Sequence, residues 1–427
     1  MFKNCLLAGS ALLFSGVALG GIDLGSMSTP HVDGEMIITF HDDVEYAEQK
    51  AILEARGATI LKVFESSNSV LVKAAEDENV LYSASVLLES NTIKSTGLNR
   101  IFTINGEFND PSFNKQYQYD LIGSEQAWSM NTGSSDVVVG VIDTGVVYNH
   151  PDLVANMWTN EGEMGVDAYG RDKSSNGVDD DGNGYVDDFR GWDFADNDND
   201  PMDDHGHGTH CAGSIGAVPN NGRGIVGLNW KVSIAALRFI DARGNGTEAN
   251  AIEAIEYATK MGFDITSNSW GGDERPGGNG ALGKAVEAAA KKDQLFVAAA
   301  GNNGRDTDKN GIFPASLGND NIISVAASDR YDRLANFSNY GVETVDLMAP
   351  GAKVYSTVRG SRYGEMSGTS MAAPIVAAAA ALIKAEYPEE TALEIKERIL
   401  KSVDLVPGAK GKVATNGRLN VYKAMTR

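Results

Sequence analysis

Apolar positions along the chain follow two successive rhythms. Residues 36–40 read as a strand, 44–56 as a helix, and 58–74 as two β-rich runs separated by Glu65-Ser66-Ser67-Asn68. A second helix is expected over 79–89 and a last strand over 92–104. The order β-α-β-β-α-β predicts a small ferredoxin-like α+β domain. Beyond Asp110 the rhythm changes. Short runs of strand character at 137–142, 232–240, 264–267, 295–300 and 322–327, mostly apolar except at 264–267, are spaced by helical stretches at 248–261 and 282–292. Strands that are apolar on both faces belong to a mostly parallel sheet covered by helices on both sides, so this part is predicted to be a three-layer α/β domain. Helices over 370–387 and 390–402 complete it. In such sheets functional side chains collect past the carboxyl ends of the strands, which is where Asp143 and Asn302 fall.

The start of the chain differs from both rhythms. Lys3 is followed by an apolar run over 6–19, broken only by small residues, and then by Gly20-Gly21. This predicts a secretory signal peptide, because the run is short for a bilayer span. The expected protein is extracellular, or held in another exported compartment such as a periplasm, with no stable membrane anchor. The expected plan is a signal peptide over 1–20, an accessory domain over 21–107 and a main domain over 108–427, with the boundary in a linker at 103–109. Of the two cysteines, Cys5 would leave with the signal, and Cys211 alone can form no intramolecular disulfide. Stability outside the cell then falls to a large core and bound cations. A net charge of −22 points the same way, and it argues against nucleic acid or an anionic membrane as partner.

Three segments carry chemistry. Asp143 closes an apolar run in Val141-Ile142-Asp143-Thr144-Gly145 and delivers a carboxylate at a strand end. The string His205-Gly206-His207-Gly208-Thr209-His210-Cys211 offers histidines without the glutamate of a His-Glu-x-x-His zinc site. Ser370, in Gly368-Thr369-Ser370-Met371-Ala372-Ala373-Pro374, precedes an alanine-rich helix whose first N–H groups and dipole suit an oxyanion. Pro374 is expected in the first turn of that helix, where its missing N–H costs little. An acid, a base and a hydroxyl are the parts of a nucleophilic hydrolase, and the order Asp, His, Ser separates this chain from the chymotrypsin and α/β-hydrolase orders.

The strings VIDTGV, GHGTHCAG and GTSMAAP resemble the motifs of the subtilisin-like serine proteases (subtilases), with thermitase-like local features and a proteinase K-like HGTHCAG. The resemblance covers about 110–427. It implies a subtilisin-like three-layer fold and a secreted serine endopeptidase with Ser370 as nucleophile, His207 as base, Asp143 as its orienter and Asn302 as oxyanion donor. It also makes the N-terminal domain an inhibitory, chaperoning propeptide, the whole chain a self-processing zymogen, and the mature enzyme a monomer. Protein or peptide substrates would pair as an added strand between Gly244, Asn245, Gly246 and Ser269, Trp270, Gly271. Ile312 and Phe313 fall at the floor of the family's primary specificity pocket, with Arg305, Asp306 and Asp308 crowding that loop. Glu248 stands where an aromatic residue often lines a more distant pocket. Cys211 reads as a small buried residue. Two alternatives remain open: a non-catalytic or propeptide-locked binding protein on the same fold, and an esterase with weak peptidase activity.

Calcium enters through two acidic segments. Asp179 to Asp188 sets oxygen atoms at alternate positions with Gly184 at the sixth, as in the first half of an EF-hand loop, although Arg190 stands at the twelfth. This predicts a Ca2+ site of Asp179, Asp181, Asn183 and Asp188. The family resemblance implies a second at Asp110, Asp152 and Asn221.

Overall fold

The computed structural model describes residues 22–23, 31–73, 92–100, 108–273 and 280–427. The expected signal peptide, the helix over 79–89 and linker residues 103–107 lie outside the described residues. The chain divides into two compact units, Met1–Asn105 and Gly106–Arg427.

The first unit is one sheet. Strands β1 (Ile22–Asp23), β2 (His31–Phe40), β3 (Thr59–Phe64), β4 (Ser69–Lys73) and β5 (Ile93–Arg100) lie in the order β1-β5-β2-β4-β3, with helix α1 (Tyr46–Glu54) between β2 and β3. Period-two alternation sends Met36, Ile38 and Phe40 inward against Leu53, Val70 and Val72. The expected break at Glu65-Ser66-Ser67-Asn68 is a tight 3-10 turn ended by Asn68 at φ 46°. Asn tolerates this left-handed conformation, and its side chain accepts from Gln49 Nε2 and donates to the His41 carbonyl.

The second unit holds a sheet of nine strands. These are β6 (Val138–Asp143), β7 (Gly191–Asp193), β8 (Ser233–Arg238), β9 (Ile265–Asn268), β10 (Leu295–Ala299), β11 (Ile322–Ser328), β12 (Leu347–Pro350), β15 (Asp404–Leu405) and β16 (Gly417–Arg418), in the order β15-β16-β12-β11-β10-β9-β6-β8-β7. All neighbours pair in parallel except β15 with β16. Alternate strand residues feed two cores. Val139, Val141, Ala236, Val297 and Val325 pack against helices α4 (His207–Gly216), α7 (Thr369–Glu386) and α8 (Ala392–Lys401). On the other face Ile142, Ala235, Leu237, Phe296 and Ala298 meet α5 (Glu248–Lys260) and α6 (Ala281–Ala290). Each fully buried Val, Leu, Ile or Phe contributes roughly 1.5–3 kcal/mol, so the two cores hold the layers together. Among the described residues, Thr369–Glu386 is also the one helix long and apolar enough to cross a membrane, and it is buried in the first core. Short helices α2 (Tyr117–Ile122), α3 (Ser124–Trp128) and α9 (Val421–Thr426) flank that side.

The structure adds elements that the hydrophobic pattern does not announce: α4, β7, β12 and the hairpin β13 (Val354–Val358) with β14 (Arg362–Met366). It also corrects one expectation. Helix α7 begins at Thr369, so Pro374 lies in its second turn, where a proline removes an internal hydrogen bond.

Candidate active site

Asp143 is the last residue of β6 and is fully buried. His207 opens α4 behind Gly206, whose φ of 105° suits glycine. The His207 Nδ1–H donates to Asp143 Oδ1 at 2.7 Å, which leaves Nε2 unprotonated as a base. This approach requires glycine at position 208, because a Cβ there would stand 2.2 Å from the Gly145 carbonyl and 3.1 Å from the Asp143 Cβ. Burial pushes the His207 imidazole down, but the Asp143 charge and hydrogen bond, assisted by Asp203, outweigh it and raise the pKa above its usual value.

Asp203 is a residue that sequence reasoning missed. Its buried carboxylate collects Thr144 Oγ1–H, His205 N–H and Gly206 N–H on Oδ1, and Thr209 N–H and Oγ1–H on Oδ2. It therefore ties the turn after Asp143 to the start of the helix that carries His207. The signal was present as an acid four residues before His207, but it lay within a longer acidic run.

Ser370 is the second residue of α7, where backbone N–H groups have no intrahelical partner. The helix does not supply a partner for the Ser370 carbonyl either, since residue 374 is proline. That carbonyl instead accepts from Ser269 Oγ at 2.9 Å and Cys211 Sγ at 3.4 Å. Ser370 Oγ in turn donates to the Ser269 carbonyl at 3.1 Å, and no hydrogen bond joins it to His207. Resting catalytic geometry is often this loose before substrate arrives. Cys211 is fully buried, and burial pushes its thiol well above the ordinary range. Asn302 follows β10, and its Oδ1 accepts from the Thr369 N–H at 2.8 Å and from Thr369 Oγ1 at 3.1 Å. Its Nδ2 is thereby left as a donor beside Ser370.

A recess of about 440 Å³ adjoins Ser370 and Asn302 and is lined by Ser269, Trp270, Gly271 and Ile312. Gly272 exchanges two backbone hydrogen bonds with Phe313, at 2.9 and 3.0 Å, and this pairing brings Ile312 under the recess. A Cβ on Gly271 would stand 2.8 Å from Ile312 Cγ2, and one on Gly301 3.0 Å from Ile312 Cγ1. Next to it, a recess of about 330 Å³ is bordered by Gly244, Asn245, Gly246, Glu248, Trp270 and Gly271. The two expected edges thus face shared space. Gly244 itself sits in a turn closed by Asp241, so the extended part of that edge runs from Asn245 to Thr247.

Residues 134–422 match the sequence model described as the subtilase family. The chain belongs to the subtilase family. It is 36% identical over 400 residues to a thermophilic serine proteinase of Bacillus sp. (strain AK1), covering 93% of this chain and 88% of that protein. It is 38% identical over 318 residues to thermitase of Thermoactinomyces vulgaris, covering 74% and 98%. Among solved structures, a protease of Pseudoalteromonas arctica superposes with a TM-score of 0.59 at 27% identity, over 75% of this chain and 98% of that one. This subtilase is a subtilisin-like serine endopeptidase with the subtilisin-like α/β fold, and as a protease it acts on proteins.

The acidic segments of the subtilase are assembled by loops. Asp110 Oδ2 accepts the Asn220 N–H at 2.7 Å, Asp152 Oδ1 accepts from Asn221 Nδ2 at 2.7 Å, and Asp152 Oδ2 accepts the Ile225 N–H at 3.1 Å. Asp110, Asp152 and Asn221 are therefore neighbours, and burial, with Asp152 adding its charge, pushes the Asp110 carboxyl up despite those N–H donors. In the other segment, Asp179 and Asp181 face Glu163, a second residue absent from the sequence reading. Asp188 turns inward to accept from Tyr257 Oη, Asn160 Nδ2 and Asn183 Nδ2, while Asn183 Oδ1 takes the Tyr185 N–H.

Proposed function

We propose that this subtilase hydrolyses peptide bonds through Ser370, His207 and Asp143. Ser370 Oγ attacks the scissile carbonyl while His207 Nε2 takes its proton, and the imidazolium is held by Asp143. The same proton then passes to the leaving amine, and water completes the cycle by the reverse sequence. The oxyanion is met by the Ser370 N–H and by Asn302 Nδ2, oriented through Thr369. The 2.7 Å bond from His207 Nδ1 to Asp143 supports this reading most directly, because it fixes the tautomer that general-base catalysis needs. Substrate would lie as a strand against 245–247 and 269–271, with the side chain preceding the scissile bond entering the recess above Ile312. Ile312 is 4% exposed and fills the space between Gly271 and Gly301, which favours small side chains at that position.

The chain is proposed to be exported by residues 1–20, to be restrained by an N-terminal propeptide over 21–107, and to release itself by cleavage near 103–109. Asp110, Asp152 and Asn221 would hold a calcium ion, and Asp179, Asp181, Asn183 and Asp188 form a second acidic candidate. Calcium, when bound, supplies a crosslink between loops and no chemical step. The test is expression of wild type beside Ser370→Ala. Wild type should process itself near 103–109 and then digest casein, with block by a serine-directed inhibitor. Ser370→Ala should remain full length. Equal processing in both would refute the self-cleaving assignment.

A further inference from the structure

The recess of about 330 Å³ beside the edge at 245–247 is lined by groups of two kinds. Its interior is apolar. Phe239 and Trp270, which follow β8 and β9, meet edge to face with ring centroids 4.9 Å apart, and Ala251 of α5 and Leu282 of α6 complete the walls. Phe239, Ala251 and Leu282 are buried members of the second core, so the walls stand without a ligand. Ala251 is small and leaves the space open. Gly246 lets the edge lie directly on Phe239, since a Cβ there would stand 2.6 Å from the Phe239 Cε2.

One acid stands at the border of this apolar space. Glu248 is the first residue of α5, one turn before Ala251, and helix spacing puts the two on one face. The residue is exposed, and among the described residues its carboxylate forms no ion pair or side-chain hydrogen bond. Cations on the flanking segments are engaged elsewhere: Arg243 donates to Asp241 at 2.9 and 3.1 Å, and Arg305 is paired with Asp273. An acid is favoured in the first turn of any helix by the dipole. That accounts for the residue type, but not for an open apolar recess beside it.

A side chain that suits both parts has an aliphatic stem and a positive end. Lysine and arginine lay their stems along apolar surface while the charged head stays in water, and a head at this border meets the Glu248 carboxylate. We propose that the recess is a subsite for a cationic side chain of the substrate, lysine or arginine, with Glu248 as the residue that selects the charge. The proposal rests on the peptidase reading of the site. Because the recess lies along the same two edges as the one that takes the side chain before the scissile bond, its occupant is a residue further upstream. Selection then has two parts, a size limit at Ile312 and a charge requirement at Glu248.

The test uses the wild-type enzyme after its own maturation and internally quenched peptides with alanine before the scissile bond. Lysine, norleucine or glutamate is placed at each of the second to fifth positions before that bond, and mass spectrometry locates the cut. Norleucine keeps the stem of lysine and drops the ammonium. At one position kcat/KM for lysine should exceed that for norleucine about fivefold at low salt, the size of one exposed ion pair, with glutamate the poorest. The ratio should fall toward one in 1 M salt, where screening is strong. Glu248→Gln should hold it near one at any salt, and Glu248→Lys should invert the order of lysine and glutamate. No lysine preference at any position, or one that survives in Glu248→Gln, would overturn the proposal; a norleucine preference that Glu248→Gln leaves unchanged would give the recess to apolar side chains instead. Failure of the wild type to cut any peptide of the series would refute the peptidase reading, and the subsite with it.

Discussion

Shortening Ile312 to alanine should convert a shallow specificity recess into a deep one. The Ile312 backbone is pinned, with its N–H on Ser316 Oγ at 3.1 Å and its carbonyl accepting the Ser316 N–H at 2.7 Å, so the segment is held when the side chain is cut back. Ile312→Ala deletes three carbons. At about 0.8 kcal/mol for each buried carbon, a large apolar side chain that takes their place gains about 2.4 kcal/mol, a factor of about 60 in kcat/KM. The opened space is continuous with the recess at Ser370, so the stability cost should fall near the lower end of the roughly 2–5 kcal/mol typical of an enclosed Ile→Ala cavity. The assay is a series of peptide anilides with Ala, Leu or Phe before the scissile bond. The Phe-to-Ala ratio of kcat/KM should rise about 60-fold in Ile312→Ala, with the Ala substrate changed by no more than a few-fold. An unchanged ratio in a variant that melts as a folded protein would refute the placement of Ile312 at the floor of the pocket.

Other outcomes follow from the same geometry. Asn302→Ala should lower kcat about 10²–10³-fold with little change in KM, a magnitude carried over from subtilisin itself, and steady-state kinetics on one anilide would check it. The acid limb of kcat/KM should have its midpoint above pH 6.5, because Asp143 and Asp203 raise the His207 pKa; Asp203→Asn should move that limb down, whereas a purely structural effect would lower the plateau without moving it. His210 is fully buried, and burial lowers its pKa to about 4, so it contributes stability that is present above pH 6.5 and lost as pH falls toward 4. That contribution is about 3 kcal/mol, and thermal melts at pH 7 and 4.5 should show a smaller acid penalty in His210→Gln than in wild type. Ser269→Ala should lower kcat about tenfold by removing one hydrogen bond of about 1–1.5 kcal/mol, and adding Pro374→Ala, which returns an N–H to the Ser370 carbonyl, should recover part of it; a double-mutant cycle with no coupling would contradict that link.

The parallel sheet was legible because β6, β8, β10 and β11 are apolar on both faces, and the runs read for them and for β9 differ from the observed strands by only a few terminal residues. Elements whose stability comes from tertiary packing were not. The β14 strand, Arg-Tyr-Gly-Glu-Met, has no apolar alternation, and it exists through pairing with β13 and through His210 Nε2 donating to the Val354 and Gly364 carbonyls. Helix α4 begins in a glycine-rich string that reads as loop until Asp203 caps it. Within the site, motif strings identify residues one at a time. Asp203 acts through what lies across from it, joining Thr144 of one segment to Thr209 of another. The shift of Pro374 from the first turn to the second has the same origin, since only the structure shows that Thr369 already belongs to the helix.

That proline has a consequence for how Ser370 is held. By withholding one N–H, Pro374 hands the Ser370 carbonyl to partners 101 and 159 residues away, Ser269 beyond β9 and Cys211 in α4. A helix with an unbroken ladder could settle its own serine early, as soon as that stretch of chain coiled. Here the Ser370 carbonyl is satisfied across the fold, and its hydroxyl in turn donates to the Ser269 carbonyl. The seat of Ser370 is thus a property of the assembled fold and not of its own helix.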